Sequence, residues 1–191
     1  MSGETARGAA VPVWEEEIRT TDALQTQAVA EKLGRLLAAG DLLLLTGELG
    51  AGKTTFTQGL GRGLGVRPGI ISPTFVLVRI HPSLTKGPDL VHVDAYRLGS
   101  SGEIDDIDLE NTMDTSVTVV EWGRGLVEHL AESRLEITLL RPTGGGSAQM
   151  QDAGGGQGTA WPRFDYDDDP DEERVIRMAA YGPRWKHKRL A

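Results

Sequence analysis

Residues 47–55 read Gly-Glu-Leu-Gly-Ala-Gly-Lys-Thr-Thr, and their types and spacing suit one task, the wrapping of a polyphosphate. The pattern G-x-x-x-x-G-K-[ST] is filled by Gly47, Gly52, Lys53 and Thr54. Backbone N–H groups must close around the anion, and Gly47, Gly50 and Gly52 keep side chains out of their way. Lys53 can place an ammonium between the β- and γ-phosphates, and Thr54 can offer its hydroxyl to Mg²⁺. A helix beginning here points its N-terminal N–H groups and positive dipole end at the same charge.

Such a loop works only between a strand and a helix, and both are legible. Leu42 to Thr46 form a short apolar run that predicts a buried parallel strand. After the loop, Phe56, Leu60 and Leu64 recur every four residues, which is one helical stripe. Gly59, Gly61, Gly63 and Gly65 weaken that helix by about 1 kcal/mol each against alanine. Close packing on the sheet is the expected return for them.

A phosphate loop also needs an acid for the metal and a group to orient water. Such an acid ends a buried apolar strand, so that its carboxylate emerges beside the phosphates. Val91-His92-Val93-Asp94 and Val117-Thr118-Val119-Val120-Glu121 both qualify. Mg²⁺ keeps several waters, so Thr54, one carboxylate and the phosphates suffice to hold it. Ser72-Pro73-Thr74 reads either as a loop that senses the γ-phosphate or as a turn into a strand. The size of Trp122 favours the core over a position against the nucleotide. His92, alternating with apolar residues, reads as packed, and Arg97 as a charge stabiliser or a surface residue.

The remaining elements must position these groups. Trp14 to Arg19 is read as a strand and residues 22–38 as a helix. Asp22 is its N-cap with Gln25 three residues on. Leu24, Ala28, Leu33, Leu36 and Leu37 form its buried face, and Gly40 is its stop. Further strands are expected at Val76–Ile80, Leu90–Asp94, Val117–Val120, Leu135–Leu140 and Arg174–Tyr181. A short acidic helix is expected at Glu103–Leu109 and another helix at Gly125–Ala131. Trp185 to Arg189 reads as a basic tail. Residues 1–12 are expected to be a disordered tail, and residues 13–191 one domain. That domain carries a flexible Gly-rich insertion at 142–160 and an acidic solvated stretch at 165–173. The strand–helix alternation predicts an α/β fold: a three-layer sandwich with a mostly parallel central sheet and antiparallel edge strands.

Bulk composition narrows the classes. The 191 residues carry a net charge of −8, which argues against a broad nucleic-acid-binding face. No cysteine means no disulfide and no thiolate chemistry, and four scattered histidines give no zinc-ligand spacing. The N-terminus lacks a signal-type apolar core, and no apolar run reaches spanning length, so a soluble cytoplasmic protein with no membrane attachment is expected.

Four segments together carry a family resemblance. Gly-Glu-Leu-Gly-Ala-Gly-Lys-Thr-Thr-Phe, Ser-Pro-Thr-Phe, His-Val-Asp-Ala-Tyr-Arg-Leu and Val-Glu-Trp, in this order and spacing, closely resemble TsaE (formerly YjeE). That is the small bacterial ATPase of tRNA threonylcarbamoyladenosine biosynthesis. The resemblance covers residues 15–141, with residues 174–185 similar to the family's closing strand. It implies a P-loop fold that binds ATP or ADP with Mg²⁺ and hydrolyses ATP slowly. It also implies action with TsaD and TsaB on the adenosine beside the anticodon, the tRNA being met through that complex.

Carried over by position, Glu48, Leu49, Gly50, Ala51, Gly52, Lys53, Thr54 and Thr55 hold the nucleotide phosphates. Thr54 and Glu121 bind the metal, and Asp94 stands beside them, as a further ligand through water or as a base. Lys53, Asp94 and Glu121 form the catalytic set. Thr74 belongs to a switch-like loop, Trp122 lies near the nucleotide, and Thr21 to Ala23 lie near the adenine. Two departures stand out: residues 144–158 exceed the usual family length, and Gly-Arg-Gly follows Trp122.

Three rival classes remain at this level. Asp94-Ala95-Tyr96-Arg97 loosely echoes small nucleoside kinases, which would need an Arg-rich lid. Thr85-Lys86-Gly87-Pro88-Asp89 misses a guanine-reading motif by one residue. A module that senses nucleotide without turnover is the third.

Overall fold

The computed structural model describes residues 11–141 and 173–190. The strands are β1 (Trp14–Thr20), β2 (Leu42–Thr46), β3 (Val78–His81), β4 (Asp89–Asp94), β5 (Ser116–Glu121), β6 (Arg134–Leu140) and β7 (Arg174–Tyr181). The helices are α1 (Ala23–Gly34), α2 (Lys53–Leu64), α3 (Ser101–Asp105) and α4 (Glu110–Met113), and a 3₁₀ turn spans Pro183–Trp185.

The strands form one sheet in the order β1-β7-β6-β2-β5-β4-β3. Its centre, β6-β2-β5-β4, is parallel, while β3 and the β7–β1 pair join antiparallel. This is the expected mixed sheet. The run Leu42-Leu43-Leu44-Leu45 sits between β5 and β6 and is buried on both faces. Leu43 and Leu45 meet Phe56 and Leu60 of α2 and Leu33 of α1 in one core. Leu42 and Leu44 meet Ile104, Leu109, Met113 and Val127 in the other. Two apolar layers around one sheet are the three-layer sandwich.

Several boundaries differ from expectation, each for a physical reason. Asp22 does cap α1, accepting from the Gln25 N–H at 2.7 Å, but the helix ends at Gly34 rather than 38. Its buried face is Thr26, Ala30, Leu33 and Gly34, with Leu37 beyond the end, whereas Leu24, Ala28 and Leu36 are exposed. The apolar residues misled because α1 presents small residues, not large ones, to its neighbour.

That neighbour is α2, and the glycines explain the choice. A Cβ on Gly59 would stand 2.4 Å from the Gln27 carbonyl oxygen, and one on Gly63 would stand 2.2 Å from that of Glu31. A Cβ on Gly34 would stand 2.4 Å from that of Leu60. The two helices therefore touch backbone to backbone. Gly59 and Gly63 serve this helix–helix contact, not contact with the sheet.

Elsewhere, residues 74–77 are turn, so β3 starts at Val78 instead of Val76. The acidic helix lies at Ser101–Asp105, capped by Ser100, and a separate turn of helix follows at Glu110. Residues 125–131 form consecutive turns, not a helix, and two glycines at 123 and 125, the second at φ 83°, are the reason. Trp185 is 1% exposed and its carbonyl accepts from the Trp14 indole at 2.8 Å, so the basic end is docked on the core. The Gly-rich segment at 142–160, residues 1–10 of the N-terminal tail and the acidic residues 165–172 lie outside the described residues. Among the described residues, no helix is long and apolar enough to cross a membrane.

Candidate functional site

The loop between β2 and α2 has the predicted strand–loop–helix setting, and three glycines meet its demands. Gly50 and Gly52 adopt φ 73° and 92°, and a Cβ on Gly47 would fall 2.7 Å from the Leu139 carbonyl oxygen. Gly47, Ala51 and Gly52 are buried, while Glu48, Leu49 and Gly50 are exposed at the rim. Lys53 is 6% exposed, and its Nζ donates to the carbonyls of Gly47 at 2.9 Å and Glu48 at 3.0 Å. Thr54 and Thr55 are half-buried in the first turn of α2.

Two arginines reach the same loop from the far strands. Arg141, just past β6, donates to the Gly50 carbonyl, and Arg174, the first residue of β7, donates from Nε to the Ala51 carbonyl at 3.3 Å. Together with Lys53 they hold the carbonyls of residues 47, 48, 50 and 51. Fixing these oxygens fixes the peptide planes whose N–H groups would face an anion. Neither arginine was singled out from the sequence. The only signal was a cation at each end of the 142–172 interval, and nothing local tied it to the loop. Arg174 also pairs in register with Thr20, which brings the start of α1 to the flank of the loop. Thr21 to Ala23, which the resemblance places near an adenine, follow β1 on that flank.

The two acids converge as expected. In parallel β4 and β5, Asp94 and Glu121 are register partners, and each is 3% exposed. Thr74 donates its hydroxyl to Asp94 Oδ2 at 2.6 Å, and the Tyr96 N–H donates to Asp94 Oδ1 at 2.9 Å. Thr74 is therefore joined to the acid rather than sitting in a bare turn. Glu121 Oε1 lies 2.8 Å from His92 Nε2, and His92 is fully buried, packed as the alternation implied.

Trp122 differs from the size-based reading. It is half-buried, belongs to neither core cluster and has φ 60°. That left-handed backbone, uncommon for a bulky residue, turns its ring onto the site. Lys53 Nζ lies 4.4 Å from the ring centroid, and the Tyr96 ring meets the Trp122 ring edge-on at 5.4 Å. Arg97 is exposed and lies over the Phe75 ring at 5.6 Å, so it is not gathered with the acids. Asp89 opens β4, at the opposite end of that strand from Asp94, and accepts from the Ser83 N–H. It is therefore not placed to read a base beside the loop.

Hard-cation chemistry fits this donor set. Two buried carboxylates and the Thr54 hydroxyl are oxygen donors of the kind Mg²⁺ prefers. Among the described residues no group of three or more His, Cys, Asp or Glu gathers as a metal cluster, so phosphate and water would complete the coordination.

Comparison with known proteins agrees with this architecture. The family described as threonylcarbamoyl adenosine biosynthesis protein TsaE matches residues 20–148. A Streptomyces coelicolor tRNA threonylcarbamoyladenosine biosynthesis protein TsaE is 48% identical over 158 residues, covering 82% of this chain and 91% of the relative. The Bacillus subtilis protein of that name is 36% identical over 124 residues, covering 64% of this chain and 76% of the relative. A crystal structure of Bacillus subtilis YdiB superposes with a TM-score of 0.61 at 29% identity, covering 91% of this chain and 90% of that one. With the family match spanning most of the chain, the loop, the acid-ended strands and the mixed sheet belong together: the chain is a member of the TsaE family of tRNA threonylcarbamoyladenosine biosynthesis proteins.

Proposed function

We propose that the chain binds ATP or ADP with Mg²⁺ and hydrolyses ATP slowly in the cytoplasm. In doing so it supports TsaD and TsaB in placing the threonylcarbamoyl group on the tRNA adenosine beside the anticodon. The observation that carries this reading is the meeting of Asp94 and Glu121, in register and buried, at the strand ends beside a loop whose carbonyls are held by Lys53, Arg141 and Arg174.

The residues divide the work. The main-chain N–H groups of residues 50–55 cradle the phosphates, and Lys53 exchanges loop carbonyls for phosphate oxygens. Trp122 covers the ammonium on one side, a cation–π contact worth more where water is excluded. Thr54 and Glu121 would hold Mg²⁺, with Asp94 beside them. The cation supplies neutralisation of charge on the transferring phosphoryl group. Asp94, fixed through both oxygens by Thr74 and Tyr96, keeps lone pairs with which to orient water.

Reconstituted tRNA modification with TsaB and TsaD, run over many turnovers with and without this chain, tests the reading. We expect sustained turnover only with the chain, ADP and phosphate as the released products, and at least a hundredfold loss of hydrolysis in Glu121→Gln. Modification that proceeds equally without the chain refutes the supporting role. A phosphorylated small-molecule acceptor formed in step with ADP would make it a kinase instead.

A further inference from the structure

The proposed chemistry uses Glu121 and leaves His92 without a task, although His92 is the group that touches it. His92 is 0% exposed, and its Nε2 lies 2.8 Å from Glu121 Oε1. Its other ring nitrogen, Nδ1, is buried with no hydrogen-bond partner among the described residues. On β4, His92 shares a face with Leu90 and Asp94, and its register partner on β5 is Val119, one pleat below Glu121.

The metal-side role of Glu121 gives the pair its direction. A carboxylate that holds Mg²⁺ only accepts, so in that role the proton lies on Nε2 and His92 donates. Nδ1 is then a buried acceptor without a partner, although Arg79 is the register partner of His92 on β3 and the His81 ring lies 6.2 Å from its own. Leaving it so has a cost that a leucine in this strand would not incur. Packing alone therefore does not account for a histidine here, whereas a donor aimed at Glu121 does. A side chain that binds one oxygen of a metal-side carboxylate limits its rotation and leaves the other oxygen for the cation.

We propose that His92 is a positioning residue: its Nε2–H holds Glu121 Oε1 and so presents Oε2 to the magnesium of a bound nucleotide. The proposal rests on the reading of Glu121 as the metal-side acid. His92 acts through Glu121 and does not itself meet phosphate or metal.

Three substitutions separate positioning from packing. His92→Leu keeps apolar bulk and removes the donor. His92→Gln places an amide N–H where Nε2 stands, and His92→Asn reaches only as far as Nδ1. The full-length chain is titrated with a fluorescent ADP, first in chelator and then at fixed nucleotide with rising Mg²⁺. ATP turnover is measured alongside.

In chelator, all three variants are expected to bind ADP within about threefold of wild type. The Mg²⁺ needed for half-maximal effect should rise roughly tenfold or more in His92→Leu and His92→Asn, the size usual for losing such an orienting partner. Turnover should fall with it, and His92→Gln should stay close to wild type in both. Unchanged Mg²⁺ dependence in His92→Leu and His92→Asn overturns the proposal. So does a common loss of chelator-phase binding in all three variants, which would assign His92 to packing. If wild type itself responds to no Mg²⁺, the metal-side reading of Glu121 falls and this proposal with it. A normal wild-type response with an unaffected His92→Leu sinks this proposal alone.

Discussion

Replacing Gly59 by alanine should destabilise the protein, although the same change in an exposed helix stabilises it. In isolation the substitution gains about 1 kcal/mol of helix propensity. Here the added Cβ would meet the Gln27 carbonyl oxygen at 2.4 Å, the Ala30 Cβ at 2.7 Å and the Gln27 Cα at 2.9 Å. Two of these are main-chain atoms of α1 and cannot rotate away. Relief requires α1 and α2 to part by roughly an ångström along a contact that is otherwise close-packed. Overpacking of this kind costs about 1–3 kcal/mol, and a rigid backbone puts it at the upper end. The net loss should be about 2 kcal/mol, a fall in Tm of roughly 4–8 °C for a chain of this size.

Thermal unfolding followed by circular dichroism measures that fall. Gly61→Ala provides the comparison. Its nearest obstacle is the Ile70 Cδ1 tip at 2.3 Å, a flexible end that can move, so its Tm should drop less. A Gly59→Ala variant that melts at or above the wild-type temperature would refute the backbone-contact account. Because α2 begins with Lys53, the same variant should also weaken nucleotide binding.

Two more outcomes follow from individual contacts. Thr74→Ala removes the hydroxyl that donates to Asp94 at 2.6 Å, a bond to a charged group worth about 1.5–3 kcal/mol. ATP turnover should fall roughly tenfold or more, while Thr74→Ser retains it; equal rates in both would disconnect Thr74 from the chemistry. Burial, helped by the nearby positive charges of Arg67 and Arg79, holds the His81 imidazole below its ordinary value of 6.5. The unfolded chain then takes up the proton first, so stability is full above about pH 6.5 and declines as the pH falls through that value. His81→Leu should flatten the decline in denaturant titrations between pH 7 and pH 5. An unchanged slope would place the proton uptake at another group.

Much of the site was legible because its parts are local. A loop of nine residues with a strand before it and a helix after it needs no tertiary information to be read. Acids ending apolar strands are equally visible, and register brought Asp94 and Glu121 together without any local signal for their pairing. What escaped was set by contacts between distant segments. Arg141 and Arg174 reach the loop from strands added late in the chain. Trp122 looked like core by size, yet its left-handed backbone turns it onto Lys53. The buried face of α1 was misread because its partner helix carries glycines, so that small residues, not large ones, mark the contact. Such a preference can be inferred only once the two helices are known to touch.

The position of β7 has a consequence for how the chain is made. Among the described residues β1 is the first strand and β7 the last, and β7 is the sole sheet neighbour of β1. The N-terminal strand therefore has no place in the sheet until residues 174–181 have emerged, and the Trp14 indole cannot meet the Trp185 carbonyl before then. During translation the parallel centre can assemble early, while β1 waits for a partner far along the chain, and such a separation slows folding. A chain cut short before Arg174 would lose two strands rather than one. It would also lose one of the cations that hold the phosphate loop, so an incomplete product would be marked by both an open sheet edge and a defective site.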